Sequence, residues 1–154
     1  MKQNKIINHI MNKLIAIIIF FTLGSAFSKA QNYKSDTISF DDIHIIIKHK
    51  EKIIIKDFPY EEGLVKILKL KKGNMVLLKG TMVRLPFIDL SKSELKNEFK
   101  LTNEIRIIRG IKDSCHFRED DYFKYGLSII YENVNEIDVS LFEDIFNNIV
   151  IEKI

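Results

Sequence analysis

The sequence predicts an α+β fold: a mostly antiparallel β-sheet with two short helices, preceded by a signal peptide. Three observations carry that reading. Isoleucine-rich runs between Thr37 and Phe58 alternate with polar residues at period two, the repeat of a strand with one buried face. Two later segments, Ser91–Phe99 and Ser140–Ile149, combine cap residues with apolar positions three and four apart, the repeat of a helix. The chain of 154 residues also opens on a basic start, a short apolar run and small residues.

The leader is the most specific of these features. Residues 1–30 hold Lys2, Lys5, Lys13 and Lys29 and no Asp or Glu. Leu14–Phe27 follows as fourteen uncharged residues, short of the roughly 20 that a membrane-crossing helix needs. Ser28 and Ala30 place small side chains at −3 and −1, so cleavage is expected after Ala30, leaving Gln31 as the new N-terminus. No Cys follows the apolar run, which excludes a lipoprotein-type lipid attachment. The competing expectation is an uncleaved leader, the one way this chain would touch a membrane. Met11 would serve as a start as well as Met1, with the same mature product.

Residues 31–154 then form a single small globular domain. The whole chain has 24 basic and 21 acidic residues, a formal charge of +3. Its basic excess resides in the four leader lysines, so the domain is close to neutral and no nucleic-acid partner is expected. One Cys excludes an intrachain disulfide framework and any Cys-rich zinc module. Only Pro59 and Pro86 occur, and no repeat or low-complexity tract marks a second domain.

Taken in order, Ile43, Ile45 and Ile47 share one strand face, with His44, Ile46 and Lys48 on the other. Lys52–Lys56 repeats the pattern, and the polar His49-Lys50-Glu51 between them predicts a hairpin. Its lysines discourage edge-to-edge pairing. Pro59–Lys72 reads either as a helix or as a strand, with Gly63 and the Ile67–Lys71 alternation favouring the strand. Gly73-Asn74 would turn it into Met75–Leu78, and a strand over Thr81–Leu85 would follow. Ser91 and Glu94 then form a capping-box pair for a helix over Ser91–Phe99. Glu104–Ile111 and Tyr125–Tyr131 read as strands. Leu141, Phe142, Ile145, Phe146 and Ile149 line the second helix, with Ser140 and Glu143 as its cap pair.

Chemistry is concentrated in Asp113–Asp121. Cys115 lies beside His116, and an imidazole is the kind of base that makes a thiolate near neutral pH. Strand neighbours point to opposite faces, however, so a second histidine brought in by the fold, His44 or His49, would serve better. Glu119, Asp120 and Asp121 offer carboxylate oxygens but lack the alternation and turn glycine of a calcium loop, and read as a solvated acidic loop. His44, Cys115, His116, Glu119, Asp120 and Asp121 therefore form a candidate polar site with no catalytic or metal-ligating role assigned and no cofactor implied.

No GxSxG, GxxxxGK, GxGxxG or CxxC occurs, which weighs against the larger enzyme classes. The expected role is that of an exported protein of a bacterial envelope, periplasmic or secreted, acting by binding a protein partner. A small envelope enzyme or metal binder centred on Cys115–Asp121 is the alternative. In an oxidising compartment Cys115 also offers a disulfide between two copies.

Overall fold

The computed structural model describes residues 33–61, 63–80, 85–91 and 93–154, with backbone alone for 93–98. The expected signal peptide, its cleavage point at Ala30 and Gln31, and most of the strand expected over Thr81–Leu85 lie outside these residues. Tyr33–Ile154 forms one compact unit.

Two antiparallel sheets make up the domain. β1 (Lys34–Phe40), β2 (Ile43–His49) and β10 (Ile149–Lys153) form the smaller, in the order β1-β2-β10. The larger contains β3 (Ile54–Phe58), β4 (Gly63–Leu70), β5 (Gly73–Gly80), β6 (Ser93–Leu101), β7 (Ile105–Lys112), β8 (Cys115–Tyr122) and β9 (Leu127–Val134). Its order is β3-β4-β5-β9-β8-β7-β6, which leaves β3 and β6 at the two edges. Among the described residues one α-helix, α1 (Val139–Phe146), connects β9 to β10.

Period-two patterning explains how the layers meet. Ile43, Ile45 and Ile47 are fully buried, as their spacing predicts. They join Leu68, Met75, Leu77, Leu127 and Ile129 of the larger sheet in one core, closed by Phe142, Ile145 and Phe146 of α1. The three rings at its centre interlock, with Tyr131 5.2 Å from both Phe142 and Phe146 between centroids. Burial of these side chains supplies the main drive for stacking the sheets.

Four expectations need correcting. First, β2 and the Lys52–Lys56 run do not form a hairpin: β2 pairs with β1 and β10, whereas β3 pairs with β4. The short polar link carries the chain from one layer to the other, and the turn at Asp41-Asp42 makes the local hairpin instead. Second, Ser91–Phe99 is not a helix, since Ser93–Leu101 is the edge strand β6 and pairs with β7. A capping box adds a local preference only, and ladder pairing with a neighbouring strand outweighs it. Third, α1 spans Val139–Phe146 with Asp138 at the N-cap position, making no side-chain cap bond, so Ser140 lies inside it and Ile149 begins β10. Fourth, Glu119–Asp121 is not a solvated loop but the buried interior of β8.

Within Pro59–Lys72, Gly63–Leu70 is the strand β4, and the two-residue turn Lys71-Lys72 passes the chain to β5. Asp113 and Ser114 both have positive φ, 50° and 63°, which is the twist a two-residue β7–β8 hairpin requires. Gly126 is left-handed at φ 55°, and its carbonyl accepts the Gly80 N–H at 2.9 Å. A Cβ there would lie 2.9 Å from the Gly80 oxygen. Gly126→Ala is therefore expected to cost about 1–2 kcal/mol in urea unfolding, from backbone strain and the lost clip together.

Candidate functional site

Strand alternation divides the polar segment of β8 between the two faces of the larger sheet. Arg118 and Asp120 point to the core face with α1; Glu119 and Asp121 point to the opposite face. All four are buried, the three carboxylate residues at 0–1 % exposure. Charges at that depth require partners, and each has them.

On the core face, Arg118 Nε and Nη2 donate to the two oxygens of Asp120, both at 2.8 Å, in a bidentate fork. Its Nη1 donates to Glu143 of α1 at 2.5 Å and to Asn147 at 3.3 Å. Tyr131 completes the group by donating its hydroxyl to the other Glu143 oxygen at 2.7 Å. The guanidinium also lies over the Phe146 ring, 4.8 Å from its centroid. Burial works against the Arg118 charge, but Asp120 and Glu143 outweigh it and hold its pKa above the ordinary arginine value. Burial raises the Asp120 pKa even though Arg118 opposes it. Burial and the bond to Glu143 also raise that of Tyr131. This network fastens α1 to the sheet.

On the opposite face, Arg106 Nε donates to Asp121 at 2.7 Å, and its Nη2 lies 3.9 Å from Glu119. Ser128 donates to Asp121 at 2.5 Å. The Glu119 carboxylate accepts the backbone N–H of Phe87 at 2.9 and 3.0 Å and that of Ile88 at 3.0 Å. It thereby ties the 85–90 segment over a second, smaller core of Ile88, Ile108, Phe117 and Ile130. Burial pushes the Glu119 pKa up to about 7; the two backbone donors oppose it and neighbouring Asp121 adds to it.

Of the remaining candidate residues, only His116 shares a space with these groups. Cys115 is half-buried at the start of β8, beside the hairpin turn. His116 pairs with Glu136 and lines a groove of about 430 Å³ together with Arg109, Tyr131, Val139 and Glu143. His44 lies in the other sheet, its Nδ1 2.9 Å from Ser39 Oγ. His49 is buried at the end of β2 and bonded to Asp36 and to the Glu51 carbonyl. Among the described residues, no three His, Cys, Asp or Glu side chains are grouped to hold a metal ion. No described helix is long and apolar enough to cross a membrane.

Sequence reasoning missed Arg106, Arg118, Tyr131 and Glu143. The signal was present in part: Arg118-Glu119-Asp120-Asp121 read at period two sets a base and an acid on one face and two acids on the other. Nothing local links Glu143 or Tyr131 to them, because those contacts span 12 to 25 residues of chain. No family model, curated protein or solved structure matches this chain.

Proposed function

We propose that this chain is an exported envelope protein whose domain, residues 31–154, works by binding another protein rather than by catalysis. One observation carries the reading. Arg118–Asp121, the most highly charged stretch of the polar segment, is consumed inside the fold, its four charged residues divided between two faces and partnered there. A catalytic group must instead converge with others on a space that a substrate can enter.

The β3 edge presents apolar side chains beside Lys56 and Asp57. All five residues of edge strand β3 are exposed, among them Ile54, Ile55 and Phe58. Leu64 and Tyr60 extend that patch. An edge strand with exposed apolar side chains suits an extended partner segment that adds to the sheet, backbone bonds supplying affinity and side chains selectivity. Export rests on the leader: its lysines, its apolar run and the small residues before Gln31.

Cross-linking in intact cells tests both parts. The wild-type protein is expected to cross-link to an envelope protein, and Phe58→Asp to lose that product with its melting temperature unchanged. Cys115→Ser and His116→Ala should keep it. If either of those two variants abolishes an enzymatic activity of the purified protein without altering its melting, the enzyme reading centred on Cys115–Asp121 replaces this one.

A further inference from the structure

We propose that the segment added to β3 runs antiparallel to it and is selected by a lysine or arginine that seats between Asp41 and Asp57. This inference rests on the partner-binding role of β3 and names the chemistry of the partner it takes.

β3 is the terminal strand of the larger sheet and pairs with β4 in unbroken register over all five of its residues. Every strand pair in that sheet is antiparallel, the more stable pairing per residue, and an added strand continues it. Alternation puts Ile55 and Asp57 on one face of β3, and Ile54, Lys56 and Phe58 on the other.

Asp57 lines a groove of about 340 Å³ beside the strand, and the turn after β1 brings Asp41 to the same groove. Phe40 and Val65, both buried, give it apolar walls. Among the described residues that line it, Lys66 is the one cation. Its Nζ donates to Asp57 at 2.6 Å and lies 5.6 Å from the centre of the Phe40 ring. Asp41 makes no ion pair among the described residues, so the groove holds two carboxylates against one ammonium. The Asp57 side chain is 82 % exposed, which leaves it open to a second donor.

Cross-strand pairing converts this arrangement into a partner sequence. Directly opposed residues of an antiparallel pair share a face and interact. The partner residue opposite Asp57 therefore projects on the groove side. A long aliphatic stem there lies along Phe40 while its charged head reaches Asp57 and Asp41. The residue opposite Lys56 falls on the other face, where the β4 neighbour of that lysine is Ile67, so an acid suits it. Apolar residues match Phe58, Ile55 and Ile54. Read from its N-terminus, the partner segment is apolar, basic, acidic, apolar, apolar. A second copy of β3 does not fit, because no two-fold centred on any of its five residues sets a base opposite Asp57.

Fluorescence anisotropy of labelled ten-residue peptides with the processed protein tests this selection. The probes carry Val-Arg-Glu-Val-Val, Val-Leu-Glu-Val-Val or Val-Glu-Glu-Val-Val at their centres. The arginine peptide is expected to bind about ten-fold more tightly than the leucine peptide, and the glutamate peptide more weakly than either. Phe58→Asp should abolish binding of all three, which places them on β3. Asp41→Asn combined with Asp57→Asn should erase the preference for arginine and keep the affinity for the leucine peptide, which also shows that the variant is folded. Equal binding of the three peptides, or a preference that survives the double substitution, overturns the charge selection and leaves strand addition at β3 standing. Binding of none of them at millimolar concentration overturns both.

Discussion

Arg118→Leu is expected to destabilise the domain by about 3–5 kcal/mol in urea unfolding, the cost of removing one partner from a buried ion pair. Arg118 is the only group that bonds both Asp120 of the sheet and Glu143 of the helix in the polar network described above. Without it, a carboxylate at 1 % exposure loses its bidentate donor and faces a second carboxylate across the gap. Burial already raises the Asp120 pKa against the pull of Arg118, so loss of the arginine raises it further. The deficit should therefore deepen from acid to neutral pH, as Asp120 is forced to ionise. Adding Asp120→Leu should recover much of the loss, since an apolar pair of similar volume costs little where a half-pair costs a great deal. An unchanged unfolding midpoint in Arg118→Leu would mean that the network does not hold α1 to the sheet.

Glu119 gives the second large effect, and its sign is opposite to that of a salt-bridged surface carboxylate. Its folded pKa lies near 7 against an ordinary 4.5, so the native state holds a proton that the unfolded chain has released. Its contribution to stability is complete below about pH 4.5 and is lost as pH rises through 7. Arg106, Asp121 and the amides of Phe87 and Ile88 are the described groups that set this balance, and Glu119 is fully buried among them. Relative to Glu119→Gln, the wild type should lose up to about 3 kcal/mol between pH 5 and pH 8. A difference between the two proteins that stays constant across that range would show that Glu119 does not carry the proton.

The parts of the fold legible in the sequence are those where burial alone decides. Ile43, Ile45 and Ile47 announced a buried strand face, and Leu141, Phe142, Ile145 and Phe146 announced α1, because pattern and core agree there. Pairing partners were legible at β4 and β5, which a tight turn joins, and not at β2 or β6. The short link after His49 looks like a hairpin turn, yet β2 finds more apolar surface to bury between β1 and β10. The Ser91–Glu94 cap pair pointed to a helix where sheet pairing prevails. The polar segment was misread for a related reason. Three consecutive carboxylates suggest solvent; besides Arg118, two residues from Asp120, the groups that hold them in the interior are distant in the chain, Arg106 and the amides of Phe87 and Ile88 among them.

Export is the premise on which the choice of partner depends, and the intact mass of the natively produced protein tests it most directly. Measured in separated soluble-envelope, membrane and cytosolic fractions, the protein should begin at Gln31, allowing for cyclisation of that glutamine, and should lie in the soluble envelope fraction. A mass that retains the 11–30 segment would contradict the account: in the membrane fraction it would make the leader an anchor, and in the cytosol it would exclude an envelope partner altogether.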